Sequence, residues 1–137
     1  MVNLVCGKQG TGKTRKMIEF GNNAIKEMKG KVVFLEANNK HMYDLDHDIR
    51  YINTKEHCMM NADQFLGFVS GLLAADYDIE HVYIDGLYKI AKIEMEDLKK
   101  IIQKLNNTSK EFEVDFYMSV NFDENELDSD VKKYILN

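Results

Sequence analysis

The chain has 137 residues and not one of them is proline. Turns and element boundaries therefore fall to glycine, asparagine and aspartate. Arginine is almost as scarce, with only Arg15 and Arg50. That scarcity and a net charge of −5 argue against a general nucleic-acid binder, which needs clustered lysine and arginine to neutralise phosphates. Cys6 and Cys58 are too few for a disulfide framework and point to a reducing cytosol. No apolar run approaches the length of a membrane span. The first apolar strand begins beside Met1, so no signal peptide is expected before it. Internal repeats, low-complexity tracts and linker-like stretches are also missing. What is present is 45% hydrophobic, 30% charged and 10% aromatic residues, enough to bury a core. The length fits one domain, 1–137, with no separate substrate domain. The expectation is a soluble, cytoplasmic, single-domain protein with no membrane association.

The order of the apolar segments indicates a fold class. "VNLVC" (2–6) reads as a buried strand ending at Gly7. Met17, Ile18, Gly21, Ala24, Ile25 and Met28 then recur at helical spacing, and Gly30 stands where a C-cap glycine belongs. "KVVFLEA" (31–37) is a continuous apolar run, as for a strand covered on both faces, and "IRYIN" (49–53) is a weaker candidate. Asn61 and Gln64 resemble a capping box opening a helix with Phe65, Leu66, Phe68, Val69, Leu72 and Leu73 on its apolar stripe. "HVYIDG" (81–86) is the next strand and 94–107 a helix burying Leu98, Ile101, Ile102 and Leu105. "VDFYMSV" (114–120) follows, and a short helix is expected from Ser129, with Val131, Tyr134 and Ile135 inward. Strands alternating with helices imply βαβ units and ligands at the carboxyl ends of the strands. The expected fold is α/β: three layers, α/β/α, around a mainly parallel sheet of about five strands.

"GKQGTGKT" matches G-x-x-x-x-G-K-[ST] at Gly7, Gly12, Lys13 and Thr14. Glycines let successive backbone N–H groups turn inward around an anion, and the positive end of the following helix adds to them. Gly10 is a further glycine in the turn. The cradle comprises Gly7, Lys8, Gln9, Gly10, Thr11, Gly12, Lys13 and Thr14, with Arg15 next to it. Lys13 can reach the β- and γ-phosphates, and the Thr14 hydroxyl can hold Mg²⁺. The bland alternative is a glycine-rich turn with an incidental lysine. The strand before and the amphipathic helix after favour nucleotide-phosphate binding, with ATP and Mg²⁺ as the expected ligands.

A phosphate loop of this kind needs a carboxylate from a neighbouring strand, and Asp85 closes "VYIDG" in that form. The next position, where many such ATPases carry a water-polarising glutamate, is Gly86. Glu36, ending "VVFLE", is the nearest substitute as general base, provided its strand lies beside that of Asp85. Ser119 and Asn121, ending "YMSVN", are candidate γ-phosphate sensors. For each residue a plainer role exists: a strand-ending acid in solvent, a strand cap, and for Arg15 a helix-surface position. Arg50 could serve as an arginine finger only from a neighbouring subunit.

Together these features resemble a minimal member of the additional-strand, RecA-like P-loop NTPases, a group in which the catalytic glutamate can end the second strand. The order of "GKQGTGKT", "KVVFLEA", "HVYIDG" and "VDFYMSV" is also similar to the core of type II thymidine kinases. The chain departs from those kinases in having no four-cysteine zinc element or nucleoside-capping lasso after Val120. It departs from full RecA-like motors in lacking DNA-binding loops. The resemblance implies the fold and nucleotide binding.

Other clusters carry less. His41, Asp44, Asp46, His47 and Asp48 invite a metal reading but show no recognised ligand spacing, and a polar loop beside the cleft accounts for them. Adjacent His57 and Cys58 do not face each other as a nucleophile pair would. Three functions follow: an ATPase with weak or partner-stimulated hydrolysis, a non-hydrolysing regulatory or assembly module, and a small-molecule kinase of nucleoside type. The kinase ranks last, since two arginines and no lid are poor means of shutting out water. A protein partner or a homo-oligomer would supply what the site lacks.

Overall fold

Five strands, β1 (Val2–Cys6), β2 (Lys31–Glu36), β3 (Arg50–Asn53), β4 (Ile79–Asp85) and β5 (Asp115–Val120), form one sheet in the order β1-β5-β4-β2-β3. Every pairing is parallel. The computed structural model describes residues 1–136. The helices are α1 (Lys13–Glu27), α2 (Ala62–Ala75), the single turn α3 (Leu87–Ile90), α4 (Met95–Phe112) and α5 (Ser129–Lys132). α1 packs on one face across β2, β4 and β5, while α2 and α4 pack together on the other. The expected three layers are therefore present.

The continuous apolar strands are explained by burial on both faces. Val33, Leu35, Val82, Ile84, Phe116 and Met118 join the larger core with α2 and α4. The alternate residues Val32, Phe34 and Tyr83 face α1 with Met17, Leu45 and Ile49. On that face, rings of four adjacent strands stack in register. Tyr117 lies on Tyr83 at 4.7 Å, Tyr83 on Phe34 at 6.1 Å, and Phe34 on Tyr51 at 6.2 Å between centroids. Because side chains alternate with a period of two, the residue two positions beyond each of these rings emerges on the α1 side. Those residues are Ser119, Asp85, Glu36 and, on the edge strand, Asn53.

Several boundaries differ from the sequence reading. α1 stops at Glu27, and its cap is Met28, whose N–H bonds the Ala24 carbonyl. Gly30 is thus not a C-cap; it is small because a Cβ there would lie 2.2 Å from the Asp78 carbonyl oxygen. Asn61 does cap α2 through the Gln64 N–H at 2.9 Å, but the Gln64 side chain accepts from Met60, not Asn61. α4 continues to Phe112, five residues past the expected end. Its capping box, Glu94 with Asp97, was not visible as such, and it ends on Glu113 in the left-handed region, φ 56°. The tail makes one helical turn and then an isolated parallel bridge from Ile135 to Leu4, on the free edge of β1.

Candidate functional site

β1 and β4 are separated by β5. Their carboxyl ends, with that of β2, meet the start of α1. The loop from Gly7 to Gly12 needs its glycines for conformation and for space. Gly12, at the N-cap of α1, has φ 83°, a region costly for residues with a Cβ. A Cβ on Gly7 would lie 2.5 Å from the Thr11 hydroxyl. The loop is tied down by the Gly7 N–H to the Phe122 carbonyl and by the Thr11 hydroxyl to the Lys8 carbonyl, both 2.8 Å. Gln9 and Thr11 are exposed.

Lys13 is buried, and its ammonium donates to the carbonyls of Gly7 and Lys8. Burial lowers its pKa; Asp85 opposes that and Lys89 adds to it. Thr14 donates its hydroxyl to one oxygen of Asp85 at 2.9 Å, and Ser119 donates to the other at 2.9 Å. Ser119 in turn accepts the Gly86 N–H at 2.6 Å. The β4 acid is therefore held from β5 and from the first turn of α1, and a buried carboxylate needs such partners. A hydroxyl and a carboxylate, both oxygen donors, suit a hard cation such as Mg²⁺.

Glu36 is 3% exposed and stands in register with Asp85, so β2 does lie beside β4. Both of its oxygens are occupied. The Tyr51 hydroxyl donates to one at 2.6 Å, and the His41 Nδ1 lies 2.8 Å from the other. Tyr51 has one hydrogen and also meets the Asn38 carbonyl, so that hydrogen is shared. Burial, and then Glu36, push the Tyr51 pKa up; it stays a neutral donor.

A narrow cleft of about 90 Å³ brings together Lys13, Thr14, Glu36, Asp85 and Ser119. Arg15 is exposed and lines a neighbouring cleft of about 440 Å³ between α1 and the 41–44 turn. Thr14 and His41 line both. Asn121 does not line the narrow cleft; its amide oxygen is buried without a partner. Arg50 begins β3, at the end of the sheet opposite the cleft. Asp46, His47 and Asp48 bring ligand atoms within 4.8 Å of one another, but His47 and Asp48 are exposed. The sequence reading missed Tyr51, Lys40, Tyr88 and Lys89, all of which reach this region. Only Lys89 had a signal, three residues beyond Gly86 on what becomes a helical turn.

Neither the known protein-family models nor the curated proteins contain a match to this chain. Among solved structures, it resembles a KaiC-like protein from the hyperthermophilic archaeon Pyrococcus horikoshii OT3, with a TM-score of 0.60 and 22% identity. The likeness covers 86% of this chain and 59% of that protein. It shows the fold: a three-layer α/β/α P-loop NTPase fold. No helix among the described residues is long and apolar enough to cross a membrane.

Proposed function

We propose that residues 1–137 form a cytoplasmic nucleotide-binding domain that takes ATP with Mg²⁺ and hydrolyses it weakly until a protein partner or second copy completes the site. One observation carries this reading: the Thr14 hydroxyl and the Asp85 carboxylate meet at 2.9 Å beside a glycine loop that holds a buried lysine. A glycine-rich turn with an incidental lysine would not require that pairing.

The loop from Gly7 to Thr14 would cradle the phosphates, with Arg15 at its edge, and the Lys13 ammonium would exchange its two carbonyls for phosphate oxygens. Thr14 and Asp85 would hold Mg²⁺, which when bound neutralises charge on the β- and γ-phosphate oxygens. Ser119 and Asn121 would sense the γ-phosphate, Asn121 by turning its side chain so that the amide NH2 donates to a phosphate oxygen. Glu36 would take a proton from water as the water oxygen bonds the γ-phosphorus and the bond to the β-phosphate oxygen breaks, releasing ADP and phosphate.

A non-hydrolysing regulatory module is the second reading, favoured by the double engagement of Glu36 and by Gly86 following Asp85. Thermal shift with ATP, GTP and their diphosphates, with and without Mg²⁺, beside phosphate release, tests both. Mg·ATP at 100 times its Kd should stabilise the fold by about 2.7 kcal/mol. Lys13→Ala should lose that stabilisation, and Glu36→Gln should keep it while losing turnover. If no nucleotide shifts the melting temperature, both readings fail.

A further inference from the structure

The cleft carries more positive charge than its motif explains. Lys40 and Lys89 line it together with Lys13. The lysines in ion pairs are others: Lys8, Lys31, Lys99 and Lys100. Among the described residues, neither Lys40 nor Lys89 has its ammonium in an ion pair. They approach from different segments, Lys40 from the stretch after β2 and Lys89 from α3.

Lys89 is the better placed of the two. Gly86, with φ 72°, begins the α3 turn, and the Lys89 N–H closes it on the Gly86 carbonyl at 2.8 Å. The aliphatic stem lies back over Gly86, where a Cβ would meet its carbons at 3.6–3.8 Å. The ammonium stands 5.6 Å from the centroid of Tyr88, which also lines the cleft, an arrangement that steadies a cation. Its charge is near enough to Lys13 to depress that ammonium further. Asp85 and Glu36 line the same cleft, but neither forms an ion pair with Lys40 or Lys89, and an anion among the three ammonium groups relieves their mutual repulsion. Phosphoryl transfer calls for such a cation, since charge spreads over the oxygens of the moving group.

We propose that Lys89, assisted by Lys40, is a cation supplied within this chain to the terminal phosphoryl group of a nucleoside triphosphate. The proposal rests on the nucleotide-binding reading above. It makes the site selective for triphosphate over diphosphate, and the left-handed backbone at Gly86, φ 72°, turns the chain so that Lys89 faces the cleft.

The test is calorimetric binding of ADP and of the non-hydrolysable triphosphate AMP-PNP, each with Mg²⁺, to wild type, Lys89→Ala, Lys89→Arg and Lys40→Ala. Lys89 is exposed, so its variants should fold, and circular dichroism checks that. Lys89→Ala should weaken AMP-PNP about tenfold, the loss of one charge-assisted hydrogen bond, and leave ADP within about twofold. Lys89→Arg should restore the difference. Equal weakening of both nucleotides would overturn the assignment to the terminal phosphate. An unchanged AMP-PNP affinity would overturn it too, leaving the nucleotide-binding reading intact. If wild type binds neither nucleotide, that reading fails first and the role of Lys89 with it.

Discussion

Tyr51 donates its hydroxyl to Glu36 at 2.6 Å, from the edge strand to the end of its neighbour. With His41 on the other oxygen, each carboxylate oxygen of Glu36 already has a partner. In the proposed hydrolysis a carboxylate so held would be less available to accept a proton from water, and basal turnover would be low.

Removing that hydroxyl should release the base. Tyr51→Phe keeps the stacked ring on Phe34 and deletes one hydrogen bond to a charged group, a contact of about 1.5–3 kcal/mol. Basal phosphate release should rise by up to about tenfold, with ADP affinity unchanged. A fall in turnover would mean that Tyr51 orients Glu36 for the reaction instead of restraining it.

The close approach at Gly30 should make it intolerant of any side chain. In Gly30→Ala the new methyl would meet the Asp78 carbonyl and the Glu80 side chain, while the Gly30 N–H already bonds Glu80 at 3.0 Å. Overpacking of this kind costs about 1–3 kcal/mol. Thermal denaturation should show a melting temperature several degrees lower, and an unchanged value would refute the steric account.

The two cysteines should differ sharply in reactivity. Burial pushes the Cys6 thiol up to about 11, leaving about one part in a thousand as thiolate at pH 8. Cys58 is exposed. Iodoacetamide at pH 8 should label Cys58 first and Cys6 only after unfolding, as peptide mass mapping would reveal. Rapid labelling of native Cys6 would contradict its burial.

His81 should make the protein sensitive to mild acid. Burial lowers its pKa below the ordinary 6.5, with Asp115 and Glu80 opposing that shift and the N-terminal ammonium adding to it. Its ring also meets Tyr83 and Tyr117. The folded chain therefore binds fewer protons here than the unfolded one. This contribution is fully present above the unfolded value and is lost as pH falls through it toward the folded value. Melting temperature should drop between pH 7.5 and 5.5 in wild type and drop less in His81→Gln. Equal slopes would assign the acid sensitivity to other groups.

Much of the fold was legible because it rests on local patterns. Five apolar runs separated by amphipathic stretches specify a parallel sheet with helices on both faces. The phosphate loop was legible for the same reason, since strand, glycine turn and helix are contiguous in the chain. Gly30 and the end of α4 were misread because each is set by what packs against it: Asp78 in the turn before β4 in one case, the N-terminal amine on buried Ser109 in the other.

By itself the sequence determined that a strand, a glycine loop and Lys13–Thr14 stand in line, and that acids end the second and fourth strands. Only the tertiary structure decided that β2 lies next to β4, that Asp85 answers to Thr14 and Ser119, and that Glu36 answers to His41 and Tyr51. Strand order is a property of non-local pairing, and no local pattern encodes it. Which side chains meet across that order follows from register and the two-residue alternation, which continuous apolar strands conceal.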